Sequence, residues 1–245
     1  MNYYLFHNIA VLRTIRLTIL AVIGLWWGSC TSPSTASLSS TVIKQYFLEI
    51  ALGSEYGQAP LQIRKWKHPI YLAIDGEPMP EYLAAELQQV IQELNLLIEA
   101  SGISLTCQTQ IDAHTNLIVY LGSPQGYTQS VEPLARPFID ENKGFCYVHF
   151  NDRNEIYSGS VFLNTEAGLA EAYLKHLLRE ELTQALGLLQ DSYTYPESIF
   201  YQKWTSTNTY APIDKHLIRV LYAPWIRPGM TIQEVEKAWQ KHFRM

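Results

Sequence analysis

Residues 179–201 read REELTQALGLLQDSYTYPESIFY and gather most of the side chains that could do chemistry. Glu180 and Glu181 are adjacent acids, Gln184 and Gln190 are amides, and Asp191-Ser192 closes the group. His176 precedes Glu180 by four residues. Two carboxylates can serve as general acid and base when both face one substrate. Adjacent helical residues point about 100° apart, however, so Glu180 and Glu181 are not expected to face one point. Glu181 is the candidate catalytic residue, since it could pair with a distant acid such as Asp191 across a cleft. The plainer expectation is that Glu181 accepts hydrogen bonds from the strand or loop packed beside its helix. His176, Glu180 and Gln184 share a helical face. A His176/Glu180 pair could begin a metal site, although a histidine bonded to the next helical turn is the simpler reading. Zinc prefers thiolate, imidazole and carboxylate, and calcium wants six to eight oxygens from flexible loops. One carboxylate and two amides suit neither ion, so no metal and no cofactor is expected.

In everything but its ligands this stretch resembles the zinc helix of the metzincin peptidases. There, two histidines at i and i+4 bind the ion, a glutamate beside the first polarises the bound water, and the helix stops at a glycine. A later turn containing methionine underlies the site. On that pattern Glu180 holds the first histidine position, Glu181 the general-base position and Gln184 the second histidine position. Ala185-Leu186-Gly187 is the helix end, Gln190 stands where the third histidine would, and Ser198-Ile199-Phe200 replaces a Ser-Ile-Met turn. Glu180, Glu181, Gln184, Gln190, Asp191 and Phe200 are therefore read as a pseudo-site, a polar pocket where the metal would have been.

The elements that must position this group follow from periodicity. Val42, Ile43, Tyr46, Phe47, Ile50 and Ala51 recur at helical spacing. Residues 68–76 read as a buried strand behind a proline. The strongest helix is 79–102, with an apolar stripe from Leu83 to Ile98 and Gly102 as its stop. Strands are expected over 103–111 and 116–122, then a long irregular segment, then a hairpin or two edge strands within 145–165. The candidate-site helix is expected over 166–186, ending at Gly187. Pro212 and Asp214 open another helix, and Thr231 with Glu234 forms the capping box of the last. The fold class is α/β (α+β), a metzincin-like mixed sheet backed by two long helices, with a C-terminal helical segment.

The N-terminus has a different character. Arg13 and Arg16 precede the uncharged run 17–27 and then Gly28-Ser29-Cys30. That is the layout of a secretory signal, and the apolar run is well short of the roughly 20 residues that cross a bilayer. Cysteine after Gly-Ser resembles a bacterial lipobox. Residues 1–29 are thus read as a signal peptide, Cys30 as the lipidated residue, 30–40 as a flexible tether and 41–245 as one domain. An uncleaved anchor helix is the alternative. The chain carries 18 Lys+Arg against 23 Asp+Glu, and cleavage would remove two arginines and no acid. Such a balance argues against nucleic acid, which rewards clustered cations. The one basic cluster, residues 64–68, is expected to flank a strand. With Cys30 lipidated, Cys107 and Cys146 remain as a pair for which a disulfide is possible and free thiols are the alternative.

Several separated motifs resemble a bacterial family of unknown function, domain-of-unknown-function family 2927. They are Lys65-Trp66, residues 180–188, Asp191-Ser192 with 198–200, and Asp214 through Leu221-Tyr222 and Pro224 to Pro228-Gly229-Met230. The resemblance implies a fold but no established activity. The function expected is that of a non-catalytic envelope lipoprotein, membrane-anchored through Cys30, which binds a protein or peptide through the former active-site cleft. An extended peptide could add to an exposed sheet edge, as substrates do in active relatives of this fold. A hydrolase with a displaced metal or carboxylate-only site is one alternative, and a purely structural envelope protein is the other.

Overall fold

Four parallel strands and one antiparallel neighbour form the frame on which the candidate helix rests. The computed structural model describes residues 38–55 and 60–243. The signal peptide, Cys30 and the tether up to residue 37 lie outside the described residues. In chain order the elements are α1 (Ser40–Leu52), β1 (Lys65–Trp66), β2 (Ile70–Gly76), α2 (Glu81–Ile98), β3 (Leu105–Cys107), β4 (Leu117–Gly122) and α3 (Pro124–Ser130). They continue with β5 (Gly144–Phe150), β6 (Glu155–Asn164), α4 (Glu171–Gln184), α5 (Pro212–Leu221) and α6 (Ile232–His242). Across the sheet the order is β3-β2-β4-β6-β5, parallel except for β5. The short β1 pairs in parallel with the first residues of β6.

Alternation along the central strands separates two cores. Leu117, Val119 and Leu121 of β4, with Val161 and Leu163 of β6, point to the side where α1, α2, α4 and α5 pack. Tyr120 and Phe162 point to the other side and meet Tyr127 of α3. Strands covered on both faces must be apolar throughout, which is why these segments read as continuous hydrophobic runs. Helices α2 and α4 are fastened by Arg179, whose guanidinium is fully buried. It donates from Nε and Nη2 to Glu86 Oε1, at 3.1 and 2.7 Å, and from Nη1 to Glu93 Oε2 at 2.6 Å.

Local chemistry moves several sequence-based boundaries. Ser39 caps α1 at Val42 N, so the last two residues read as tether belong to the helix start. The segment read as irregular contains α3, opened by Ser123, which caps Gly126 N ahead of Pro124. In 103–111 only Leu105–Cys107 pairs. The hairpin at 145–165 is present, but β6 lies inside the sheet and only β5 is at an edge. The candidate helix starts at Glu171, after Gly168 turns left-handed at φ 67°.

The motif Lys65-Trp66 clips β1 to the helical side. Lys65 is buried rather than presented to solvent, and its Nζ donates to the carbonyls of Leu221 (2.7 Å) and Ile226 (2.9 Å). Burial lowers its pKa to about 7. Trp66 Nε1 donates to Ala185 O (2.8 Å) and Tyr222 OH to Leu186 O (3.0 Å), which satisfies carbonyls left open at the end of α4. Gly187 follows at φ 114° with its α-carbon against the Arg64 carbonyl, where a side chain could not fit.

Asp214 does similar work for residues 198–200. Its carboxylate accepts from Ser198 Oγ (2.6 Å), Ile199 N (3.0 Å) and Ala211 N (2.9 Å), while Tyr46 OH donates to Ser198 Oγ (2.9 Å). The possible disulfide is not formed: Cys107 and Cys146 are free. They sit on β3 and β5, at opposite ends of the five-strand order, and four inter-strand steps of about 4.8 Å far exceed the span of a bridge.

Candidate functional site

Helix α4 is buried along its last ten residues with few exceptions, because the sheet lies on one side, α2 on another and the 190–210 segment on a third. A cavity of about 180 Å³ opens where α4 meets the start of β5 and the loop after the helix. Glu180, Glu181 and His176 enter it from α4, Asp191 from the loop, and Glu55 from the chain after α1. Lys143 and Gly144 border it on the β5 side, and Tyr201, Lys203 and Trp204 on the other. Gly144 leaves room for the Glu181 side chain there: a Cβ would stand 2.6 Å from Glu181 Oε1 and 2.9 Å from Leu177 Cδ2.

The carboxylates set the electrostatics. Glu181 is 7% exposed, and among the described residues nothing hydrogen-bonds to it. Burial, then the charges of Glu180, Asp191 and Glu55, push its pKa well above the ordinary carboxylate range. Asp191 is pushed up to about 8 by burial and by Glu180 and Glu55, against the Gln184 hydrogen bond that favours its ionised form. His176 meets an oxygen on each side of its ring: Nδ1 donates to Thr207 O at 2.8 Å, and Nε2 lies 3.3 Å from Glu180 Oε2. Burial lowers its pKa, but Glu180 and the Thr207 carbonyl outweigh that and leave it raised.

Two sequence arguments change here. Glu180 and Glu181 do reach one cavity despite their divergent helical directions, because the cavity wraps around the helix edge and both side chains are long. The hydrogen bonds expected to hold Glu181 as a structural residue are absent among the described residues. The remaining pseudo-site positions disperse. Gln184 does not line the cavity but donates from Nε2 to Asp191 Oδ1 at 2.6 Å. Gln190 packs against Gly53, where a Cβ would stand 2.7 Å from its Oε1, and donates to Asp191 O. Phe200 is fully buried in the main core. Sequence reasoning missed Glu55, Gly144 and Trp204. No local signal marks them, since each reaches the cavity from a distant segment.

Zinc, the ion implied by the metzincin resemblance, does not fit these donors. Among the described residues no three His, Cys, Asp or Glu side chains converge as a metal would require. At the second-ligand position Gln184 spends its amide on Asp191, and Gln190 at the third turns toward Gly53. His176 has both ring nitrogens engaged. A second cavity, of about 760 Å³, is lined by Trp225, Met230 and α6 and receives no residue of α4.

The family model described as "Protein of unknown function (DUF2927)" matches residues 40–241. No curated protein matches the sequence. Two solved structures of myroilysin are similar in shape. One is 11% identical with a TM-score of 0.38, covering 65% of this chain and 82% of that one. The other is 10% identical with a TM-score of 0.39, covering 72% and 92%. Similarity at that level carries no functional argument, so the site's own chemistry has to.

Proposed function

The chain belongs to the DUF2927 family of proteins of unknown function, and from that premise we propose that it is a non-catalytic envelope lipoprotein that binds a protein or peptide in the cleft beside α4. The observation carrying this reading is the α4 cavity itself, which keeps a buried Glu181 with no hydrogen-bond partner among the described residues, while the positions of a metal set are spent on internal contacts. Burying a carboxylate without a partner is costly, so a fold that retains one is holding it for a ligand rather than for stability. The outer edge of β5 runs from the cavity and pairs with no other strand among the described residues, and an extended peptide could add there by main-chain hydrogen bonds. Lipidation at Cys30 would tether this binding face at the membrane.

Two measurements test the reading. Radioactive palmitate should label the full-length chain and not Cys30→Ala; equal labelling of both would refute the anchor. Protein purified without chelator should contain no stoichiometric zinc, and a zinc content near one per chain would overturn the non-catalytic assignment.

A second reading, carboxylate-only hydrolysis, draws support from the raised Glu181 and Asp191 in one cavity, an arrangement found at acid/base sites. Turnover of peptide or glycoside substrates that disappears in Glu181→Gln would favour it.

A further inference from the structure

We propose that the α4 cavity receives a single cationic side chain, a lysine ammonium or arginine guanidinium, presented by an extended peptide. This rests on the peptide-binding reading above and specifies the chemistry of its ligand. Three observations carry it. Glu180, Glu181 and Asp191 line one space, and Glu181 is more than nine-tenths buried with no hydrogen-bond donor to it among the described residues. A buried carboxylate facing carboxylates is satisfied by a positive charge brought from outside and by little else.

The protein's own cations do not fill that role. Lys143 and Lys203 border the cavity but form no ion pair among the described residues, and His176 is committed to Glu180 and the Thr207 carbonyl. The third observation is size. About 180 Å³ is below the range of roughly 300–1,000 Å³ typical of sites for drug-sized ligands, and it suits one long, slender side chain. The donor set argues against an inorganic ion, since among the described residues no three acidic or imidazole groups come close enough to share one. An ammonium or guanidinium needs no such convergence, because it presents several N–H donors on a body of its own. Trp204, 60% exposed at the rim, offers an aromatic face and stacks edge-on with Tyr173. A cation entering past it would gain a further attraction.

The test uses the full-length chain with two sets of probes, read by calorimetry and by the shift in melting temperature. The first set is three capped pentapeptides, Ala-Val-Lys-Val-Ala and its norleucine and glutamate counterparts. The lysine peptide is expected to bind about tenfold or more tightly than the norleucine peptide, and the glutamate peptide not at all. Glu181→Gln and Asp191→Asn should each shrink that preference while leaving the norleucine affinity unchanged. The second set is pentylammonium, the uncharged 1-pentanol, and calcium or zinc chloride. Pentylammonium alone should raise the melting temperature of wild type and not of Glu181→Gln.

Equal binding of all three peptides would overturn the cation inference and leave the peptide-binding reading standing. Binding of pentylammonium with no peptide binding would do the reverse, keeping the cationic pocket and removing the peptide. A shift with calcium or zinc that pentylammonium cannot reproduce would overturn the proposal in favour of a metal.

Discussion

Replacing Asp191 by asparagine should stabilise this protein at alkaline pH, the opposite of what deleting a structural carboxylate does. Asp191 keeps its proton to about 8 in the folded state, against an ordinary 3.8, because it is buried beside Glu180 and Glu55 and in the field of Glu181. Between those values the native chain binds a proton that the unfolded chain has released, so stability falls as pH rises. Below about pH 4 both states are protonated and the penalty vanishes; above about pH 8 it is complete.

At 1.36 kcal/mol per pH unit the interval corresponds to at most about 6 kcal/mol, and sharing the cost with the neighbouring carboxylates leaves roughly 2–4 kcal/mol for Asp191. Asparagine cannot ionise, yet its carbonyl can still accept from Gln184 Nε2 in the 2.6 Å contact. The variant should therefore match wild type near pH 4 and exceed it at pH 9 by about 5–15 °C in melting temperature, taking 2–4 °C per kcal/mol for a domain this size. Circular-dichroism melts in one-unit steps from pH 4 to 9 would read this. The quantity to follow is the difference between variant and wild type. Asp214, raised to about 6 by burial, adds to the decline with pH, whereas Lys65, lowered to about 7, adds stability as pH climbs toward 10.5. Both cancel in the difference. A variant that melts at or below wild type at pH 9, or a difference that does not grow between pH 4 and 8, would refute the account of a desolvated, mutually repelling acid cluster.

Other substitutions should act through packing and pairing. Arg179→Met leaves Glu86 buried without its partner and should cost about 3–5 kcal/mol, read as a lower urea midpoint with an unchanged slope. Gly187→Ala places a Cβ inside the Arg64 carbonyl at a positive φ; a loss of about 3 kcal/mol or more is expected, and a neutral result would mean that β1 can move away from the end of α4. Lys65→Met strands the Leu221 and Ile226 carbonyls but also removes a desolvated amine, so the net loss at pH 6 should be about 1–3 kcal/mol, growing by pH 9 because only the wild-type chain gains stability as pH climbs from about 7 toward 10.5. Glu181→Gln should not destabilise at neutral pH, because no hydrogen bond among the described residues is lost and a repelled carboxylate is removed; a melt lowered by more than 3 °C would assign Glu181 a structural partner.

The motifs that mark the family are mainly joints of the frame. Trp66 and Tyr222 close the end of α4, Lys65 bonds the last carbonyl of α5, Asp214 ties down residues 198–200, and Met230 lies in the turn that pairs with Ile63 through Ile63 N to Met230 O and Gly229 N to Ile63 O. Within the stretch 179–201, by contrast, Glu180, Glu181 and Asp191 gain from the frame a shared cavity that their helix alone would not provide.

The sequence by itself determined most of the elements and several of their ends. The apolar stripe of α2, the Thr231/Glu234 box, the opening of α5 at Pro212 and the turn at Gly187 are local effects of side-chain spacing and backbone freedom, so they could be read one segment at a time. What only the tertiary structure decided depends on which distant segments meet. The strand order puts Cys107 and Cys146 at opposite sides of one sheet, and the packing of β5 against α4 at Gly144 makes one cavity of Glu180 and Glu181. Lys65, read only as part of a basic cluster flanking a strand, is a buried donor to two carbonyls. Gln190 and Phe200, placed by analogy at the site, are claimed by Gly53 and by the core. Spacing along a chain fixes direction within an element; burial and partners come from the other elements that close over it.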